Sequence, residues 1–118
     1  MPNRTKPAPE PSALMARVLS LGDLAPKRMF GCECAYVDGQ MIAVLHATGL
    51  YFKTDDQTRG RFDDMDLPSF APSPRHGMRA YRLVPDAVAE TDETLRPWLM
   101  DAVSVGKRQA AARKAPQN

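Results

Sequence analysis

The sequence predicts an α+β fold: a two-layer α/β sandwich with helices on one face of an antiparallel sheet, in the order α-β-β-β-α-β-β-α. Three observations predict it. Residues 28–53 hold three short apolar runs rich in Val, Ile, Tyr and Phe, which suit a pleated surface. Two turn signals, Asp38-Gly39 and Thr48-Gly49, separate those runs; Gly accepts φ > 0 freely and Asp better than most residues, so Asp-Gly favours a tight hairpin. Further along, Leu95, Trp98, Leu99, Ala102, Val103 and Gly106 recur at the period of an amphipathic helix.

The elements follow in order. Ser12 is a good N-cap, and Leu14, Met15, Val18 and Leu19 form one stripe, so the first helix is expected over 12–21. Gly22 suits the left-handed C′ position, Leu24 packs back on the last turn, and Pro26 stops continuation. The first strand is expected over 27–37, with Phe30, Cys32, Cys34 and Tyr36 turned to the core and Met29, Gly31, Glu33, Ala35 and Val37 away. Residues 41–46 are apolar on both faces, as a central strand requires. A third strand over 50–53 completes the meander.

Thr54 and Gln57 have capping-box spacing and predict a helix over 55–65, with Phe62 and Met65 inward. Phe70 anchors a short edge strand inside a loop rich in Pro and Gly, and residues 78–84 form the last strand before Pro85. Proline lacks an N–H and is tolerated in the first turn, so Thr94 is expected to cap the final helix with Pro97 at its third position. Phe30, Val44, Phe52 and Trp98 should then share one interior.

Domain organisation follows from composition. Residues 1–11 contain four prolines and read as a disordered N-terminal tail; 12–106 form the domain; 107–118 read as a basic flexible tail. The net charge of +2 is uneven: +1 in residues 1–11 and +4 in 107–118, which leaves 12–106 at −3. That is too few cations for general phosphate-backbone binding, so nucleic acid is expected to bind weakly, through 107–118, or not at all. No apolar run is long enough for a membrane span or a secretory leader. Two cysteines spaced Cys32-x-Cys34 are not a secreted disulfide framework, and the expected setting is a reducing cytoplasm.

Chemistry-bearing residues are few. Cys32 and Cys34 share one strand face and offer half of a structural zinc site, which His46 and His76 complete only if the fold gathers them. Packing is the competing role, since cysteine behaves as a small hydrophobe. A nucleophilic enzyme needs a thiol or hydroxyl beside a positioned base, and no such motif is visible. The expectation is no enzyme and no cofactor. Arg28, Lys53, Arg75, Arg79 and Arg82 either line one edge and accept an acidic partner or small anion, or are scattered surface cations.

Five segments carry a family resemblance: Arg28-Met-Phe-Gly31, Tyr36-Val-Asp-Gly39, Leu50-Tyr-Phe-Lys53 with Asp55, Leu67-Pro-Ser-Phe70 and Leu95-Arg-Pro-Trp98. Their order and spacing over 20–106 resemble the TfoX (Sxy) N-terminal domain family. The resemblance implies a small bacterial protein with a two-layer α+β sandwich similar to secretion chaperones. Family members with a C-terminal helical domain act in competence regulation, as co-activators with the cyclic-AMP receptor protein. This chain resembles a stand-alone member without that second domain, and no catalytic residue carries over. The expected role is a non-enzymatic protein-interaction domain in regulation, with a homodimer as one possible assembly. The alternatives are a thiol-dependent redox or metal-binding protein using Cys32 and Cys34, and a weakly DNA-associated protein.

Overall fold

A computed structural model describes residues 11–29, 31–73 and 76–114. Helix α1, Ala13–Gly22, begins as the cap predicts: the Ser12 hydroxyl accepts the Met15 N–H at 3.3 Å. The left-handed residue at its end is Asp23 (φ 53°), not Gly22, and its N–H reaches the Leu19 and Ser20 carbonyls. Gly22 is needed for a different reason. A Cβ there would lie 2.8 Å from the Leu24 side chain, which folds back onto the helix as expected.

The single strand expected over 27–37 is a hairpin, β1 (Ala25–Met29) and β2 (Cys32–Val37), turned at Gly31 with φ 73°. Phe30, placed toward the core from sequence, lies outside the described residues. Asp38 (φ 49°) and Gly39 (φ 80°) then make a two-residue turn with both φ positive, the type I′ geometry that matches strand twist. It leads into β3 (Gln40–His46) and, after a second tight turn, β4 (Gly49–Lys53).

Helix α2 is only Gly60–Asp63, against the longer helix expected over 55–65. Thr54 does not cap it; buried, it donates its hydroxyl to the Ala80 carbonyl at 2.8 Å. The box forms one residue later: Asp55 Oδ1 accepts the Gln57 N–H, while Thr58 Oγ1 accepts the Asp55 N–H, each at 3.0 Å. Phe62 is buried and meets Trp98 edge-on at 5.0 Å, but Met65 points outward, 52% exposed. Strands β5 (Ser69–Ser73) and β6 (His76–Leu83) form the last hairpin, with Phe70 buried as expected.

A short helix α3 (Asp86–Ala89) precedes α4, Asp92–Lys114. Thr91 rather than Thr94 starts α4: its hydroxyl accepts the Thr94 N–H at 3.2 Å and its carbonyl the Leu95 N–H at 3.0 Å. Pro97 therefore falls beyond the first turn, where its missing N–H interrupts the ladder; packing of the apolar face overrides this local cost. The helix also continues past Gly106. Residues 107–114, expected as flexible tail, are helical, and Ala110 is buried.

The sheet order is β1-β2-β3-β4-β6-β5, antiparallel throughout. Helices α1 and α4 pack on each other and over β2, with α4 also over β3 and β4. The core between the layers joins Met15, Val18, Ala35, Ile42, Leu50, Phe52, Phe62, Leu95 and Leu99, with Trp98 packed at its margin. A second apolar cluster joins Cys32, Cys34, Val44, Tyr51, Phe70 and Tyr81. Alternation along β2 and β4 separates the two: Ala35 and Val37 face the helices, while Cys32 and Cys34 face the other way. This corrects two expectations. The cysteine face is not the helix-facing one, and Val44 does not share an interior with Phe52 and Trp98. The Tyr81 hydroxyl reaches across β4 to donate to the Met41 carbonyl at 2.6 Å, tying the second cluster together.

At Gly106 the helix backbone meets the sheet. A Cβ there would stand 2.5 Å from Val37 Cγ1 and 2.6 Å from Ile42 Cγ2. Gly→Ala in an exposed helix interior gains up to about 1 kcal/mol. Here overpacking should reverse the sign, so Gly106→Ala is expected to cost about 1–3 kcal/mol in urea denaturation. A variant at least as stable as the parent would show that the helix does not approach this closely.

Candidate functional site

Four places hold the chemistry-bearing residues, and the structure keeps them apart. The first is the thiol pair. Cys32 and Cys34 are both buried, about 2% and 1% exposed. Burial pushes both thiols above the ordinary cysteine range, and it outweighs the opposing pull of the Arg28 guanidinium. A thiolate is the reactive form, so this environment suppresses nucleophilic and redox chemistry. His46, at the end of β3, meets the Phe70 ring at a tilt, centroids 5.3 Å apart, and its Nδ1 lies 2.9 Å from the Thr48 hydroxyl and accepts the Thr48 N–H at 3.2 Å. It closes a turn. His76 begins β6, opposite Ser73. Among the described residues no three His, Cys, Asp or Glu side chains gather as a metal site.

The second is the proposed cation edge, which does not form as one surface. Arg28 lies on edge strand β1, while Lys53 and Arg82 lie on β4 and β6 toward the opposite edge. Arg82 is committed inside the fold, with Nε donating to the Leu67 carbonyl at 2.9 Å and an ion pair to Asp63 at 2.7 Å. The Lys53 ammonium sits 5.6 Å from the centre of the Tyr81 ring, and burial, then the Arg113 charge, pulls its pKa down. Arg79 is exposed on β6. Arg75 lies outside the described residues. The pattern is that of dispersed cations with separate local duties.

The third is a broad depression of about 400 Å³ between the loop at 55–57 and the end of α4, lined by Asp55, Asp56, Gln57, Arg108, Gln109 and Ala112. Arg108 donates from Nε (3.1 Å) and from a terminal nitrogen (2.8 Å) to one Asp55 oxygen. Burial raises the Asp55 carboxyl, but hydrogen bonds from Arg108, the Gln57 N–H and the Thr58 hydroxyl outweigh it and hold the group below the usual carboxylate range. One cation of the basic stretch thus ties α4 to the loop that follows β4.

The fourth was not legible beforehand. A notch of about 230 Å³ opens between the start of α1 and edge strand β1, lined by Pro11, Met15, Pro26, Lys27, Arg28, Glu33 and Cys34. It exists because the helical layer stops short of β1, most of which stays exposed. Met15 and the two prolines supply an apolar lining. Glu33 Oε1 accepts the Ser12 N–H at 2.8 Å, which ties the helix start to β2. Pro26 directly before Lys27-Arg28 is the one sequence signal of an edge, because proline is tolerated only where no ladder donor is needed.

Six antiparallel strands under two long helices, with thiols sealed on the far face and a side-chain-sized notch at one edge, define a small two-layer α+β domain. The TfoX N-terminal domain model matches residues 16–105, and the chain belongs to that family. No curated protein matches it. The family segments fall on structural joints. Met29 and Gly31 bracket the first hairpin turn, Asp38-Gly39 makes the second, Asp55 holds Arg108, and Trp98 packs on Phe62. Among the described residues no helix is long and apolar enough to cross a membrane.

Two outcomes follow. Buried thiols with raised pKa should resist a disulfide reagent such as DTNB in the native protein near pH 8 and react fully in urea; rapid native labelling would contradict the burial. For Asp55 the folded pKa is depressed, so its contribution is present above the unfolded carboxylate value and lost as pH falls through the folded one. Arg108→Ala should therefore cost about 1 kcal/mol near pH 7, discounted for partial exposure, and less as pH approaches about 2. A cost that does not change with pH would remove the ion pair as its cause.

Proposed function

We propose that this chain is a non-enzymatic protein-interaction domain acting in regulation. Membership of the TfoX N-terminal domain family carries the reading, because the family is associated with competence-type regulation. The geometry supports it in two ways. The thiols offered by the redox alternative are buried with raised pKa, the opposite of a reactive cysteine environment. The basic stretch offered by the DNA-binding alternative is a helix, and Arg108 within it is neutralised by Asp55. The exposed edge at β1 and its notch are the features suited to contact with another chain.

The test is reciprocal capture. Tagged full-length chain is expected to retain a partner that in turn retains the chain, as a complex of fixed stoichiometry on size exclusion. Replacing both Cys32 and Cys34 by Ala should leave the complex intact. Failure to recover any reciprocal partner, or loss of function in the cysteine variant with its fold preserved, would refute the reading.

A further inference from the structure

We propose that the notch between α1 and β1 docks an extended partner segment that carries an apolar side chain next to a carboxylate. This deepens the protein-interaction reading and rests on it. The apolar side chain enters between Met15 and Pro26, and the carboxylate meets the Arg28 guanidinium.

Size selects the occupant. At about 230 Å³ the notch is smaller than the ~300–1,000 Å³ of ordinary small-molecule sites. It is suited to a side chain presented by a peptide. Charge selects its chemistry. Arg28 is exposed, and neither Arg28 nor Lys27 is ion-paired with a carboxylate of a described residue. Among the described lining residues the one carboxylate is Glu33, which stands opposite Arg28 in the strand register and accepts the Ser12 N–H. Lys27 also lines the notch, but its ammonium rests 5.7 Å from the centre of the Tyr36 ring, which packs against the second cluster, so Arg28 is the cation on the helix side. Such a lining favours a complementary anion and discriminates against a basic segment. Arginine also has the planar fork that grips a carboxylate with two parallel hydrogen bonds.

The backbone of β1 supports recognition through side chains over simple strand addition. Pro26 interrupts the row of N–H groups along β1, so an added strand would meet a gap in its ladder. The notch lies beside that gap and offers what the backbone does not. The occupant is thus a short extended segment held mainly by one buried side chain and one ion pair.

The test uses the full chain with ¹⁵N labelling and a short synthetic peptide alternating leucine and glutamate, its ends blocked. A peptide alternating leucine and lysine serves as the control. The acidic peptide should shift the amide signals of Lys27, Arg28, Glu33 and Cys34, and the basic one should not. Arg28→Glu should weaken acidic-peptide binding about tenfold or more, with the dispersion of the spectrum unchanged. Arg79→Glu, at the far side of the sheet, should leave it as it was. Equal shifts with both peptides, shifts mapping elsewhere, or parental affinity in Arg28→Glu would overturn the proposal. The two readings fail separately: a reciprocal partner that binds the Arg28→Glu chain as well as the parent keeps the interaction domain and removes this site.

Discussion

Helix α4 lies close on the β2–β3 hairpin at Gly106. Only the absence of a Cβ lets the helix backbone come within reach of Val37 and Ile42. That approach sets the depth at which Leu95, Leu99 and Ala102 meet the sheet, since all lie on the same helix face. It also fixes where the far end of the helix emerges, and so where Arg108 finds Asp55. Packing of this face, rather than local propensity, holds α4 together, which is why the helix runs through Pro97.

The sheet beneath is committed on both sides. Alternation along β2 sends Ala35 and Val37 to the helices and Cys32 and Cys34 to the second cluster, and β4 divides Leu50 and Phe52 from Tyr51 in the same way. A slip of one residue would exchange these sets and turn Glu33 into the second cluster, so the register is specified twice over. The thiols take their chemical character from this arrangement. They are small apolar groups fitted against Val44, Phe70 and Tyr81, and their burial disfavours ionisation.

Much of the fold was legible because turn chemistry and periodicity are local. Ser12, Asp38-Gly39 and the apolar stripe from Leu95 to Gly106 each did locally what their residue types favour. What escaped depended on distant partners. Gly31 was placed inside one strand, because apolar residues alternate on both sides of it, whereas it turns a hairpin. Thr54 had the right spacing for a cap, yet the Ala80 carbonyl claimed it. Periodicity ended at Gly106, whereas the ion pair to Asp55 and burial of Ala110 accompany another two turns of helix. The candidate site was the least legible part. Among the described cations grouped from sequence, Arg28 lies on β1 and Lys53, Arg79 and Arg82 toward the other edge of the sheet, and the notch depends on where the helical layer ends, which no local pattern encodes.

Both outer strands contain a proline, Pro26 in β1 and Pro72 in β5. In the language of polymer growth, each molecule is a chain-stopped monomer: neither margin presents the unbroken comb of amides needed to seed the next unit. Margins so interrupted are poor templates for adding strands from further copies of the same chain.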